Sequence, residues 1–245
     1  MTASYKLRSL FLLQTLLALL LTSLLWPKTA VYWQKLDIAF FKLINQSLLD
    51  RHYWQVFWAC ANHKYADWVE DLCILVFFTI WIRKSPCSLR KIRIAQLLFC
   101  VLYIAFILFF VNRMLFRDFI SIPRPSPSLV IENNVMLSQK ISWMKIKDVS
   151  QTSFPGDHAT TALLFAASFS YLAGHRFAIA AWIYAAFLCM PRLITGAHWL
   201  SDVIVGSGGI VLFSLSIAFC TPLAHSISSY LVCIFPRKQA ENNEN

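Results

Sequence analysis

Long apolar stretches alternate with shorter polar connections along this chain, and the pattern predicts helices that cross a bilayer. A helix needs about 20 mainly apolar residues to cross the hydrocarbon core of a membrane. Six runs approach that length, and they cover residues 10–26, 68–82, 94–111, 160–173, 177–189 and 200–222. We therefore predict an all-α, polytopic membrane protein with six transmembrane helices, in which residues 1–245 form a single domain.

Two long connections lie between these runs. Residues 27–65 contain the segment LDIAFFKLINQSLL, whose apolar residues recur at helical spacing, with Trp33 and Trp54 nearby. This pattern favours a helix at the membrane interface, where aromatic side chains are common, and a substrate-binding segment is the alternative. Residues 126–152 include Lys147. Long connections often form lids or substrate platforms, and an ordinary solvated loop is the equal alternative here.

Composition agrees with a membrane location. The chain is 58% hydrophobic and 14% charged, with a mean hydropathy of +0.58, which is too apolar for a soluble domain of this length. The first apolar run has no clear A-x-A cleavage site, which favours an uncleaved anchor over a secretory signal. The polar tail QAENNEN is predicted to be disordered.

The net charge of +10 is distributed in a way that indicates the orientation in the membrane. If the N-terminus is cytoplasmic, the cytoplasmic connections are rich in basic residues, as is typical of that side. These residues are Lys6, Arg8, Arg83, Lys84, Arg90, Lys91, Arg93, Arg176, Arg237 and Lys238. Both termini are therefore predicted to be cytoplasmic. No nucleic-acid-binding motif accompanies the charge, so we exclude a nucleic-acid partner.

The same orientation places a group of polar residues at the outer ends of the predicted spans. Arg192, His198 and Asp202 have the spacing R-x5-H-x3-D, and His158 lies upstream in SFPGDHA. A histidine that attacks phosphorus needs a lone pair on one ring nitrogen, and an acceptor for the other N–H fixes that tautomer. If the segment is helical from His198 onward, the i, i+4 spacing lets Asp202 be that acceptor. Arg192 is then expected to grip phosphate oxygens, and His158, as an imidazolium, to protonate a leaving oxygen.

Zinc binding is the competing interpretation, because two histidines and a carboxylate form a possible ligand set. The set would be His158, His198 and Asp202. Arg124 and Arg192 favour a phosphate instead, since they bring positive charge to the place a cation would occupy. The seven cysteines include no C-x-x-C pair, so they indicate neither a zinc ribbon nor a disulfide framework.

Together these residues resemble the type 2 phosphatidic acid phosphatase superfamily of membrane lipid phosphatases, whose motifs are K-x6-R-P, P-S-G-H and S-R-x5-H-x3-D. Arg117 stands where the first motif has lysine, and Arg124 matches its arginine. An alternative is that Arg117 or the nearby Arg113 only reaches toward the interface. The second motif departs from the family pattern, since Gly156 and Asp157 replace Ser-Gly. The segments SFPGDH and PR-x3-GAHW-x2-D are similar to the lipid A 1-diphosphate synthases within this superfamily.

The resemblance implies an inner-membrane phosphotransferase of Gram-negative bacteria with its active site at the periplasmic face. Undecaprenyl diphosphate is the implied donor and the 1-phosphate of lipid A the implied acceptor, with no metal or other cofactor. His198 is the implied nucleophile, and the implied phosphate-binding residues are Arg117, Arg124, Arg192, Gly156 and Asp157. A hydrolase that uses water as acceptor and a non-enzymatic membrane carrier or interaction protein remain alternatives. Whether a small regulatory membrane protein binds is also open.

Asp157 has three interpretations, because a carboxylate beside an anion site weakens anion binding unless a cation neutralises it. It discourages hydrolysis by water, it holds an arginine such as Arg117 for a second phosphate, or it caps the helix that follows. The sequence does not choose among them.

Overall fold

The computed structural model describes residues 5–234, so the tail QAENNEN, predicted to be disordered, lies outside the described residues. Helices dominate this part of the chain, and its described residues contain no strand, only an isolated bridge between Arg124 and Thr152. The prediction of an all-α protein is confirmed. The helices are α1 (Leu7–Leu25), α2 (Pro27–Gln46), α3 (His52–Ala61), α4 (Lys64–Arg83), α5 (Cys87–Phe106), α6 (Pro127–Val130), α7 (Leu137–Lys140), α8 (Asp157–Ala173), α9 (His175–Ile194), α10 (Gly208–Cys220) and α11 (Leu223–Ile234). A π-helical segment, Ile107–Ile120, continues α5, and another, Asp202–Ser207, leads into α10.

Within residues 5–234, four helices are long and apolar enough to cross a membrane, so the protein is a multi-pass membrane protein. They are Leu7–Leu25, Cys87–Ile120, His175–Ile194 and Asp202–Cys220, and each contains or overlaps a predicted span. The other two predicted spans lie in α4, whose first half carries three acidic residues, and in α8, which has only 17 residues. Six transmembrane helices therefore stay a prediction.

Helix α8 is the centre of the bundle and packs along most of α9. Its Phe165 and Phe169 are fully buried and stack with ring centroids 5.6 Å apart. Phe77 and Phe78 of α4 meet these rings mainly edge-on. Apolar residues all around a helix are typical of a buried one. This aromatic cluster fixes the position of α8, and with it the place of the residues at its N-terminal end.

The two ends of the bundle differ in chemistry. At the C-terminal end of α8, Lys6 donates a hydrogen bond to the Tyr171 hydroxyl at 2.6 Å, and Arg93 donates to the Leu172 carbonyl at 2.9 Å. The N-terminal end of α8 instead adjoins the ends of the other helices that carry the predicted site residues. The site thus lies opposite these basic residues. That it faces the periplasm stays a prediction.

Helix α2 contains most of the segment predicted to be an interfacial helix, and it begins earlier than expected. Pro27 is its first residue, where the missing N–H of proline removes no helical hydrogen bond. Only Asp37, Phe41 and Asn45 are buried, and their spacing places them on one face. By this face α2 packs against the rest of the protein and brings a carboxylate into its interior.

Residues 126–152, which we call the outer platform, are packed rather than merely solvated. Leu137 and Ile141 are buried in a cluster with Leu48 and Trp58. The Asn45 side chain donates to the carbonyl of Val135 at 3.1 Å and accepts from its N–H at 2.8 Å. The connection is therefore packed against the protein and is not an ordinary solvated loop, and its role as a lid or substrate platform stays a prediction.

Candidate active site

The turn after α9 positions His198. Gly196 has a φ of +80°, and a Cβ on it would lie 2.9 Å from the ring of Phe41, so only glycine suits this place. His198 is buried, and its Nδ1 lies 2.6 Å from the carbonyl oxygen of Ser153. A carbonyl oxygen can only accept, so Nδ1 carries the hydrogen. The Nε2 atom is left with the lone pair that a nucleophile needs.

The hydrogen bond expected between His198 and Asp202 is not formed, and the carbonyl oxygen of Ser153 accepts the His198 N–H instead. Asp202 Oδ2 lies 3.8 Å from His198 Nδ1, beyond hydrogen-bond distance, and accepts the N–H of Trp199 at 2.8 Å. The reason is local, because helical structure resumes at Leu200 and not at His198. The carboxylate still lies close enough to stabilise positive charge on the ring.

Two buried aspartates orient Arg124. Its Nη1 donates to Asp202 Oδ1 at 2.5 Å, and its Nη2 donates to Asp37 Oδ2 at 3.0 Å. Asp37 also accepts the N–H of Ser201 at 2.8 Å. Burial raises the pKa of Asp37, while the hydrogen bonds from Ser201 and the charge of Arg124 oppose that rise. Arg124 is thus held as a fixed cation with 25% of its side chain exposed.

Asp37 was not among the site residues predicted from the sequence. A signal was present, because Asp37 shares one helical face with apolar Phe41, and a carboxylate on a face that is to be buried requires a partner. The partner, Arg124, is remote in sequence, so no local motif joins the two.

Asn62 holds Arg192, which unlike Arg124 is buried. Arg192 Nη1 donates to the side-chain oxygen of Asn62 and, at 3.3 Å, to its backbone carbonyl. The Asn62 amide in turn donates to Thr195 Oγ1 at 3.1 Å and to the Lys147 carbonyl at 3.0 Å. One side chain therefore connects α3, the turn after α9 and the outer platform around Arg192. Asn62 too was absent from the sequence-based site, since an isolated asparagine carries no recognisable pattern.

His158 is neutral in this arrangement, and its expected role as an imidazolium with bound substrate stays a prediction. Its Nε2 lies 2.7 Å from Arg192 Nη2, and because a guanidinium can only donate, Nε2 accepts. The hydrogen then sits on Nδ1, 3.6 Å from Asp67 Oδ1. His158 lies just before the predicted span 160–173. Burial is the largest cause that lowers the pKa of His158, to about 3, and the charge of Arg192 is the next largest. A bound phosphate would oppose this, because negative charge favours the imidazolium.

Arg117 and Asp157 form an ion pair at the edge of the site. Asp157 also accepts a hydrogen bond from Asn112 at 3.3 Å. Asp157 is the first residue of α8, and the cap position before it is held by Gly156, which has no side chain that could cap the helix. Of the three interpretations of Asp157, contact with Arg117 is the one present here. Both side chains are about two-fifths exposed, so solvent weakens the pair and an anion can reach the guanidinium.

The N-terminus of α8 completes the anion environment. Its first N–H groups have no partner within the helix, and they favour negative charge. The carbonyl of Gly156 accepts from Thr160 and, at 2.9 Å, from Ser207. A Cβ on Gly156 would lie 3.7 Å from Cε1 of His198, so this backbone lies beside the nucleophilic ring.

Lys147 extends from the outer platform toward the same cluster. Desolvation of its ammonium by the surrounding protein lowers the pKa of Lys147, although the side chain retains contact with solvent. The charges of Arg192 and Arg117 lower the pKa further, and those of Asp157 and Asp67 raise it. Lys147 therefore adds a further cation beside Arg192 and Arg117. From the sequence, Lys147 was predicted only to lie in the long connection 126–152, without a role of its own.

One group of side chains among the described residues has donor atoms close enough together for a metal ion, and it is not the zinc set considered above. These atoms lie within 4.8 Å of one another in Asp67, Glu70 and His158. Arg192 already donates to His158 and lies 3.8 Å from Asp67, so a cation is present at this position. The guanidinium of Arg192 thus already supplies positive charge where a metal ion would have to bind.

Comparison with known proteins agrees with this chemistry. The chain is 28% identical over 213 residues to lipid A 1-diphosphate synthase of Escherichia coli (strain K12). The aligned region covers 86% of this chain and 87% of that protein. No solved structure gives a significant match. The family model of the PAP2 superfamily matches residues 96–225, which include all of the sequence-predicted site residues. The chain therefore belongs to the PAP2 superfamily, and it is an enzyme of the lipid phosphatase and phosphotransferase kind.

Proposed function

We propose that this protein transfers the terminal phosphoryl group of undecaprenyl diphosphate to the 1-phosphate of lipid A, at the periplasmic face of the bacterial inner membrane. The observation that carries the proposal is the state of His198, whose Nδ1–H is held by Ser153 while Nε2 keeps its lone pair. The similarity to a lipid A 1-diphosphate synthase supports the choice of acceptor.

In the first step, Arg124 and Arg192 bind the terminal phosphate of the donor. His198 Nε2 attacks phosphorus, an N–P bond forms, and the bond from phosphorus to the bridging oxygen breaks. The leaving undecaprenyl phosphate has a second pKa near ~6, so it departs as an anion with little need for a strong acid. That property is compatible with a neutral His158. Positive charge on the phosphorylated ring is stabilised by the nearby carboxylate of Asp202.

In the second step, a phosphate oxygen of the acceptor attacks the phosphohistidine. The N–P bond breaks, and a new phosphoric anhydride bond forms on the acceptor. A phosphate monoester is largely ionised at neutral pH, with its second pKa near ~6, so it loses a proton more readily than water does. Arg117 and Lys147 are suited to hold this second phosphate, because both lie beside the catalytic cluster. We expect a chelator to leave turnover intact, because arginines supply the positive charge.

Hydrolysis with water as the final acceptor is the second candidate, because the chain belongs to a family of lipid phosphatases. It uses the same first step, so the fate of the phosphohistidine separates the two. A carrier or interaction protein without activity, the remaining alternative, conflicts with membership of this enzyme family and with the oriented histidine and arginines.

The experiment follows the label from terminally labelled undecaprenyl diphosphate, incubated with purified protein with and without lipid A. We expect label in diphosphorylated lipid A when lipid A is present. Label that appears only as free phosphate under both conditions would identify a hydrolase. The absence of any label transfer or release would contradict both enzymatic functions.

A further inference from the structure

A cavity of about 680 Å³ lies between the end of α1, the start of α2, the π-helical segment after α5 and the connection that carries Arg124. The mechanism derived above does not use it. Its wall is mainly apolar, and the residues that form the apolar part include Leu21, Leu24, Ala30, Trp33, Ile38 and Phe116.

The polar end of this cavity touches the catalytic cluster. Arg124 and Asp37 both form part of its wall there. Trp199, which follows the nucleophilic His198 directly, also contributes, and its indole N–H is fixed on the Pro125 carbonyl at 2.8 Å. Arg124 therefore contacts two environments, the apolar cavity and the buried carboxylates that orient its guanidinium.

The apolar end adjoins α1, which has no buried residue and is long enough to cross a membrane. A wall made by such a helix borders the lipid phase, so hydrocarbon can reach the cavity without passing through water. The volume is within the range of sites that hold one small ligand, about 300 to 1,000 Å³.

We propose that this cavity, the tail pocket, binds the phosphate-proximal part of the single isoprenoid chain of the donor and thereby delivers the donor phosphate to Arg124. The proposal rests on the function proposed above and adds the place where the donor chain binds. The charges are complementary, since an apolar wall ends at a cation and the donor is an apolar chain that ends in an anion.

The single chain distinguishes this donor from the acceptor. A polyprenyl diphosphate carries one chain attached directly to its phosphates, so chain and phosphate enter a pocket in line. A lipid with several acyl chains on a sugar scaffold needs a broader surface than a cavity of this volume offers. The part of the outer platform that carries Lys147 does not line this cavity and remains available for such an acceptor.

Filling the pocket tests the proposal. Ala30 lies in its wall, and Ala39 is an exposed alanine on the same helix outside the wall, so Ala30→Trp and Ala39→Trp form a matched pair. With lipid A at saturation, we expect Ala30→Trp to raise the KM for undecaprenyl diphosphate by at least about tenfold, a change that even one methylene can cause in an apolar pocket. Ala39→Trp should leave it unchanged. The KM for lipid A, and turnover of the short-chain isopentenyl diphosphate, should be the same in both variants.

Equal donor KM values in the two variants would overturn the proposal, and so would a change confined to the KM for lipid A, since the pocket would then hold an acyl chain.

If Ala30→Trp also impairs the short substrate, photolabelling of the wild-type protein decides. A polyprenyl phosphate with a diazirine near its phosphate should label residues 21–38. Labelling confined to other segments would overturn the proposal. Failure of the proposed function is distinguishable, because the wild-type protein would then not transfer label to lipid A.

Discussion

At the residue scale, the position of Arg124 depends on two carboxylates that come from distant parts of the chain. Asp202 follows the nucleophile closely, whereas Asp37 lies in α2 and reaches the site through the fold. A guanidinium held from two sides loses little freedom when it binds phosphate, so its charge is in place before the reaction begins. Asp37 is therefore a positioning residue for a phosphate-binding arginine.

Asp37→Asn should lower kcat by about a hundredfold, because losing one pre-oriented donor to a developing charge has an effect of this size. Asp50→Asn is the control, since Asp50 is exposed and its positive φ suits asparagine. Turnover of undecaprenyl diphosphate is the measurement, and Asp37→Glu should restore part of it if the carboxylate acts through Arg124. Equal kcat in the wild type and Asp37→Asn would remove this role.

His158 should matter most for substrates with poor leaving groups. Its pKa of about 3 leaves it neutral before substrate binds, and only the negative charge of a bound phosphate favours its protonation. We expect His158→Ala to slow release of phosphate from phosphatidic acid, whose leaving group is an alcohol, by about a hundredfold or more. The loss with undecaprenyl diphosphate should be smaller, and exposed His52→Ala should affect neither substrate. An equal loss on both substrates would argue against general-acid catalysis by His158.

At the element scale, the sequence predicts the helices well and their ends poorly. Each of the six apolar runs lies in or overlaps a helix, because burial in lipid or in the bundle requires such runs. The geometry around His198 was wrong in detail, since the i, i+4 argument assumed a helix where the chain still turns, and the carbonyl of Ser153 takes the histidine N–H. Contacts such as Arg124 with Asp37, or Arg192 with Asn62, depend on tertiary packing that no local pattern records.

The N-terminus of α8 offers a test of acceptor choice. Gly156→Ser combined with Asp157→Gly restores the family motif, and a Cβ at Gly156 meets only ordinary contacts of 3.4 Å or more. The change adds a hydroxyl donor and removes the partner of Arg117. We expect the ratio of free phosphate to diphosphorylated lipid A to rise in the labelled transfer assay. An unchanged ratio, with Asp157→Asn also unchanged, would mean that the outer platform decides the acceptor.

At the scale of the whole molecule, the site residues gather at one end of the helical bundle, and basic residues such as Lys6 and Arg93 lie at the other. Positive charge at helix ends is typical of the cytoplasmic side. The proposed function therefore requires the outer platform to face the periplasm, where lipid A in the outer leaflet of the inner membrane would be accessible.

Cysteine reporters test this orientation. Ser138 in α7 and Ser88 in α5 are both exposed at the surface of the protein and lie on the two sides predicted to be separated by the membrane. In a background without the native cysteines, Ser138→Cys should react with a membrane-impermeant maleimide in cells with a permeabilised outer membrane. Ser88→Cys should react only after the inner membrane is lysed. The reverse pattern would place the site in the cytoplasm and contradict the assignment of the periplasmic face.

The central claim is that a phosphoryl group passes through His198, and trapping that intermediate tests it most directly. Purified protein is mixed with terminally labelled undecaprenyl diphosphate without acceptor, quenched in alkali and analysed for protein-bound label. The account predicts an acid-labile, alkali-stable label on the wild-type protein that is located at His198, disappears on addition of lipid A, and is absent from His198→Ala. Label of the same amount on His198→Ala, or label that survives acid, would contradict it.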